Sequence, residues 1–246
     1  MMKRIGIYCV SYRSDQERER YLTSVRQAAD KAADKVSVDV FVANNTPENN
    51  PGYFGAVRQL MQGVDLTAYD YSIISNVDLT MEEDFFIKLA DYDCAAMTGW
   101  IAPQIWSNLE ERDRNPKILN RYSLRKLQIL KTFYQFPLLD TLYTRTFYRS
   151  KKYQRHPAGE IYAGHGSFII LTRQYFQQCG IIDYPVFLFC EEIYLAEMCR
   201  QAGLQVLYEP TLKITDTEHA STGQMNHGFY CRCNYEAMQY IIKNFY

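Results

Sequence analysis

The sequence predicts an α/β protein with a mostly parallel sheet and helices on both faces. Three observations support this. Apolar runs of strand length, KRIGIYCV (3–10), VSVDVFVA (36–43) and YSIIS (71–75), recur through the first third of the chain. Segments of helical period separate them. Strand, helix and strand also fit within the first 45 residues, which makes a βαβ unit with parallel strands and a right-handed crossover.

The elements follow in order. After the first strand, SYRSDQERER forms a loop and a charged helix start. YLTSVRQAADKAADKV continues that helix, with Leu22, Val25, Ala29 and Ala32 on one face. The second strand ends in a polar turn, NNTPENNPG (44–52), and a helix over 54–63 follows. Asn76, Val77 and Asp78 come directly off the third strand. Thr80 and Glu83 have the spacing of a capping box for a helix MEEDFFIKLAD. CAAMTGW (94–100) reads as a fourth strand. A basic, Tyr- and Phe-rich segment follows. GSFIILTRQYF (166–176) returns to a strand and then a helix. EEIYLAEMCRQAG is a helix with Gly203 as its C′ residue. QVLYEPTLKI is a strand, and NYEAMQYIIKNFY closes as a helix.

Composition bounds the class. The chain has 246 residues, 47% hydrophobic and 15% aromatic, enough for a sizeable core and too apolar for disorder. The expected organisation is a single domain over 1–246, with a first half (1–111), a basic helical insertion (112–160) and a second half (161–246). Seven cysteines with no CxxC pair read as reduced thiols in a cytoplasm. The Cys231–Cys233 pair is weak as a metal signal, and His156, His165 and His227 lack metal-ligand spacing. The run IGIYCV is too short for a signal peptide, and no stretch reaches the length of a spanning helix.

Charge is unevenly spread. Residues 112–155 hold 12 Lys/Arg against two Asp, a net of +10, while the rest holds 15 Lys/Arg against 26 Asp/Glu, a net of −11. The segment therefore reads either as a surface that meets an anion or as a solvated basic face.

Ligands of open parallel sheets bind beyond the carboxyl ends of the strands. That rule selects Ser11 and Tyr12, Asn44 and Asn45, and Asn76 and Asp78. Neither a dinucleotide fingerprint nor a P-loop is present. Asp78 suits Mg²⁺ or Mn²⁺ completed by substrate phosphates, and His219 in DTEHAST offers an imidazole to the same ion. The alternatives are a turn or cap role for Asp78 and a surface-loop role for His219. In FLFCEEIYL, Glu191 and Glu192 open a helix. Both gain from its dipole, but neighbouring side chains diverge, so one is free to enter a cleft as a general base.

Taken together, the motifs resemble the family-two glycosyltransferases, and within them the bacterial rhamnosyltransferase-like group. IGIYCVSYRS resembles the family's first strand, with Arg13 where an Asn is usual. VDVFVANN resembles the second, with Asn44 in place of an acid. NPGYFGAVRQ resembles an Asn-x-Gly-x-x-Gly stretch, with Arg58 where an Asn is usual. SIISNVD matches an Asn-x-Asp metal motif at Asn76 and Asp78. The stretch from Gly164 to Pro210 closely resembles the later half, where an acidic pair precedes a helix. DTEHAST resembles the family's metal-binding His segment.

The resemblance covers nearly all of the chain outside 112–160. It implies an A-type glycosyltransferase fold, a nucleotide-sugar donor, a divalent cation (Mn²⁺ or Mg²⁺) and an inverting displacement. Residues 1–111 would bind the donor through Ser11, Tyr12, Asn44, Asn45, Arg58, Asn76 and Asp78. Asp78 and His219 would hold the metal. Glu192 would be the base, Glu191 its supporting neighbour with a charge that raises the pKa of Glu192, and His165 and Gly166 the acceptor side within 161–246. The expected setting is bacterial surface polysaccharide synthesis, with a glycan or lipid-linked acceptor. The protein would be cytoplasmic, with residues 112–155 resting on anionic lipid at the inner membrane face. Nucleic acid is not an expected partner. The competing functions are a non-catalytic sugar-nucleotide or glycan binder on the same fold and a nucleotidyltransferase.

Overall fold

The computed structural model describes residues 2–138, 140–141, 154–217 and 225–246. Its centre is a nine-stranded sheet with the main order β2-β1-β3-β8-β5-β9-β4. The opening βαβ unit is as expected: β1 (Lys3–Tyr12), α1 (Asp15–Lys31) and β2 (Val36–Asn45), with the two strands parallel. β3 (Tyr71–Asn76) pairs parallel on the other side of β1. β5 (Thr98–Ser107) and β9 (Gln205–Asp216) are also parallel. β8 (Phe168–Thr172) runs against both β3 and β5, and β4 (Leu79–Met81) runs against β9. Five of the seven strands on the main path therefore point the same way. Two short strands, β6 (Arg112–Asp113) and β7 (Gly159–Ile161), attach to β5 and β9.

Alternation along the strands divides the core between two faces. Ile5, Ile7 and Cys9 join Tyr21 and Val25 of α1, and Phe85, Phe86 and Leu89 of α3 (Phe85–Asp91). Tyr8 and Val10 point the other way. They join Phe54 and Val57 of α2 (Tyr53–Met61), Tyr175 of α5 (Arg173–Cys179), Leu195 of α6 (Glu191–Gln201) and Ile241 of α7 (His227–Phe245). β2 is an edge strand. Its apolar run serves both faces, with Val38 and Val42 on one and Phe41 and Ala43 on the other.

Some elements differ from expectation. Thr80 lies in β4, and the helix begins only at Phe85 with Asp84 before it, so there is no capping box. Pairing with β9 takes Thr80, the expected cap, into the sheet. β5 starts at Thr98 and runs on to Ser107 through Pro103. The ladder shifts register at Pro103, where the missing N–H cannot bond. α6 ends as expected, with Gly203 in the left-handed region (φ 69°).

The described part of the basic segment is built into the protein. β6 turns back on β5, and Asp113 accepts bonds from Ile105 N, Asn115 N and Tyr208 Oη. α4 (Leu124–Gln135) is capped by Ser123, buries Leu127 and packs Tyr134 edge-on against Tyr230 of α7. Arg121 reaches the fully buried carboxylate of Glu197 in α6 (Nε–Oε1 2.6 Å), which also holds Tyr162 and Arg200. Residues 142–153 of this segment lie outside the described residues.

Candidate active site

The site begins at the carboxyl ends of the parallel strands. Register places Ser11 beside Asn44, Tyr12 beside Asn45 and Val10 beside Asn76. Ser11, Arg13, Asp15, Asn44, Asn45, Thr46 and Pro47 line a cleft there of about 210 Å³. Asn44 Oδ1 accepts from Arg18 of α1 at 2.8 Å, so its side-chain oxygen is already engaged within the protein. Asn45 Nδ2 donates to Asn50 Oδ1, which also accepts from Gly52 N, folding the 44–52 loop back on itself. Arg58 does not line this cleft. It sits in the last turn of α2 and pairs with Asp183 at 2.6 Å, so the expected donor contact is replaced by a link to the loop before α6.

Asp78 follows β3 and is held from the backbone. Its carbonyl accepts from Thr217 N (3.1 Å) and Thr217 Oγ1 (2.9 Å), which joins the β3–β4 turn to the end of β9. It does not cap a helix. Burial first, then the charge of Asp216, pushes the Asp78 carboxyl up to about 6, against the pull of Arg114. Asp216 is buried and pairs with Arg114 at 2.8 Å. Two acids in one low-dielectric corner repel each other, and a hard divalent cation relieves that repulsion, so the donor set fits Mg²⁺ or Mn²⁺. His219 lies outside the described residues. Asp216, the first residue of DTEHAST, was not expected to take part. Its carboxylate comes near only because β4, which follows Asp78, pairs with β9.

The acidic pair comes off a strained turn. Phe189 (φ 74°) and Cys190 (φ 62°) are consecutive left-handed residues with side chains, each at a cost of about 1–2 kcal/mol. Surrounding groups hold them there. Tyr184 Oη donates to Phe189 O (2.7 Å), Glu191 Oε1 accepts from Phe189 N (3.0 Å) and Tyr53 N donates to Phe187 O (3.3 Å). Phe187 and Phe189 pack edge-on against Phe229 and Tyr230.

The turn sends the two carboxylates apart, as neighbouring positions require. Glu191 is buried, and burial, followed by the charge of Glu192, pushes it up to about 8. A raised carboxyl was expected at Glu192; its buried neighbour Glu191 carries a raised one. Glu192 instead reaches Gly166, whose N donates to Glu192 Oε1 at 3.3 Å. A Cβ at 166 would lie 3.1 Å from that oxygen, so the glycine leaves room for the carboxylate.

Of the two residues expected on the acceptor side, Gly166 meets Glu192, and His165 sits beside it. His165 is fixed by its backbone N to Asn115 Oδ1 (2.7 Å), and its Nδ1 accepts from Ser167 N (3.2 Å). Burial, then the charges of Lys117, Arg114 and Arg112, holds this imidazole well below its usual range, so it is neutral. Tyr53, which was not expected, links the parts. Its hydroxyl donates to Gly166 O at 3.0 Å, and burial, then Glu191 and further down Asp78, raises its phenol well above the ordinary value. Asn76 N donates to Ser167 O at 2.9 Å, joining the metal-motif strand to the start of β8.

A mixed sheet with this order, flanked by helices and with its polar residues gathered at one edge, is an A-type glycosyltransferase fold. Solved structures of that fold match 90–98% of the chain. GalNAc-T7, solved with UDP, GalNAc and Mn²⁺, matches 98% of this chain and 48% of its own at 11% identity, with a TM-score of 0.59. The mannosyltransferase PcManGT from Pyrobaculum calidifontis, solved with GDP-Man and Mn²⁺, matches 90% of this chain and 59% of its own at 10% identity, with a TM-score of 0.54. The catalytic domain of Drosophila β1,4-galactosyltransferase 7, in complex with xylobiose, matches 94% and 80% at 13% identity, with a TM-score of 0.52. No family model matches the sequence, and no curated protein does.

Proposed function

We propose that this protein is a metal-dependent glycosyltransferase that moves a sugar from a nucleotide-sugar donor to a glycan or lipid-linked acceptor with inversion. One observation carries the reading. On an A-type fold, the carboxylate of Glu192 is held by Gly166 N, whose residue also takes the Tyr53 hydroxyl on its carbonyl, with Asp78 following the end of β3 on the same side of the sheet as Ser167.

In this reading Ser11, Tyr12, Asn44, Asn45 and Asn76 seat the nucleotide. Asp78 and Asp216, with His219, hold a divalent cation, which when bound stabilises negative charge on the leaving diphosphate. Glu192 accepts the proton of the acceptor hydroxyl as that oxygen attacks the anomeric carbon from the opposite face. Glu191, protonated near neutral pH, supports its neighbour without adding a second charge. His165, kept neutral, and Gly166 shape the acceptor side. Glu192→Gln should lower turnover of a responsive donor by about 10²–10⁴-fold while leaving donor binding intact. Equal turnover by the variant would remove Glu192 from the mechanism. A second reading, a non-catalytic sugar-nucleotide binder, draws on the Asn44–Arg18 bond, which occupies a polar group expected to face the donor. Binding with no turnover of any donor would favour it.

The finer proposals concern setting: a rhamnosyltransferase-type enzyme of bacterial surface polysaccharide synthesis, cytoplasmic and peripheral at the inner membrane face. No helix among the described residues is long and apolar enough to cross a membrane. The basic segment does expose Leu124, Ile129, Phe136 and Leu138 among Arg125, Lys126 and Lys131. That mixture suits anionic lipid, where each cation contributes about 1 kcal/mol. Co-sedimentation with anionic vesicles at low salt, lost at high salt, is expected. Failure to sediment would end the membrane proposal.

A further inference from the structure

The sequence reading found no metal spacing for His227, but the fold gives it partners. His227 and Cys231 lie one turn apart on the same face of α7, and Asp140 comes to them from the segment after α4. The Nε2 of His227 is 3.6 Å from Cys231 Sγ and 3.6 Å from Asp140 Oδ2, and the sulfur is 4.0 Å from that oxygen. A tetrahedral Zn²⁺ with ordinary bond lengths requires separations of about 3.6 Å for N–S, 3.4 Å for N–O and 3.6 Å for S–O. The three atoms thus already form nearly one face of a zinc tetrahedron.

Hydrogen bonds gather further polar atoms around the same nitrogen. Four lone-pair-bearing atoms converge on the one nitrogen: Cys231 Sγ, Asp140 Oδ2, Pro137 O (3.3 Å) and Thr141 Oγ1 (3.2 Å). The hydroxyl of Thr141 donates to Pro137 O, so it too faces His227 as an acceptor. The Cys231 thiol likewise donates toward Asp140 Oδ2, so the three ligand atoms are already drawn together before any ion is bound. A cation bound through the nitrogen's lone pair satisfies the thiolate and carboxylate together.

We propose that Asp140, His227 and Cys231 form a Zn²⁺ site, separate in its residues from the Asp78–Asp216 corner. Sulfur and imidazole select zinc over Mg²⁺ or Mn²⁺. The ion would join the end of the α4 segment to the first turn of α7, whose Phe229 and Tyr230 back the strained turn before Glu191. This proposal does not depend on the catalytic reading.

The test uses the full chain, stripped with a chelator and titrated with Co²⁺ and then Zn²⁺. One equivalent of Co²⁺ should give a thiolate-to-cobalt charge-transfer band and the strong visible bands of tetrahedral cobalt, and Zn²⁺ should bleach both. The thiolate band should vanish in Cys231→Ala, and the tetrahedral spectrum should be lost in His227→Gln, a half-exposed position where folding is preserved. Both should persist in Asp78→Asn. Zn²⁺ should also raise the melting temperature of the wild type and leave that of His227→Gln unchanged. A wild-type protein with no thiolate band, or a band that survives in Cys231→Ala, would overturn the assignment.

Discussion

Replacing Glu191 with Gln should flatten the alkaline side of the stability profile. The wild-type carboxyl is raised from an ordinary value of 4.5 to about 8, first by burial and then by Glu192. Between those values the folded protein keeps a proton that the unfolded chain releases. Stability therefore falls as pH rises, by about 1.4 kcal/mol per pH unit. The full contribution is present below pH 4.5, and the loss is complete above pH 8, where it reaches on the order of 4–5 kcal/mol. Glutamine keeps the oxygen that accepts from Phe189 N and has no proton to lose. The variant should match the wild type near pH 4.5 and exceed it by several kcal/mol at pH 9. Urea denaturation at steps across this range, followed by the fluorescence of Trp100 and Trp106, gives the difference directly. Asp78 titrates in both proteins, so subtraction removes it. Parallel profiles would refute the reasoning and mean that the turn holds Glu191 no differently from a surface acid.

Two further outcomes concern the scaffold. Gly52→Ala should cost several kcal/mol, because position 52 has φ 84° and a Cβ there would lie 2.1 Å from Phe187 O; a loss under about 1 kcal/mol in urea melts would show that the loop yields easily. Arg121→Ala should cost about 2 kcal/mol, below the usual range for a broken buried pair because Glu197 keeps Arg200 and Tyr162, and a calorimetric melt will read it.

The halves of the site differed in how far the sequence revealed them. Ser11, Asn44, Asn45 and Asn76 follow from strand ends in parallel order, because period and chain direction suffice to place them. The helix start drew attention to Glu191 and Glu192, but the choice of Glu192 and its pairing with Gly166 came only from the order of motifs, since β8 reverses and 26 residues separate the pair. Asp216 and Tyr53 were hidden because each acts through register across the sheet or a loop, which local pattern does not encode. Arg58 misled for the same reason: its partner, Asp183, is 125 residues away. The Asp140–His227–Cys231 cluster joins the ends of two helical segments that no spacing rule connects.

The reversal of β8 also bears on how such a protein can diversify. A strand turned against its neighbours brings its beginning to the edge where they bring their ends. His165 to Ser167 therefore reach the site on entering the sheet, and both approaches are anchored: Ser167 O to Asn76 N, and His165 N to the side chain of Asn115. With Asn115 upstream and His165 downstream both fixed, a change in the intervening chain need not move the residues at the edge, provided it keeps the anchors that Arg121 and Tyr162 make to Glu197.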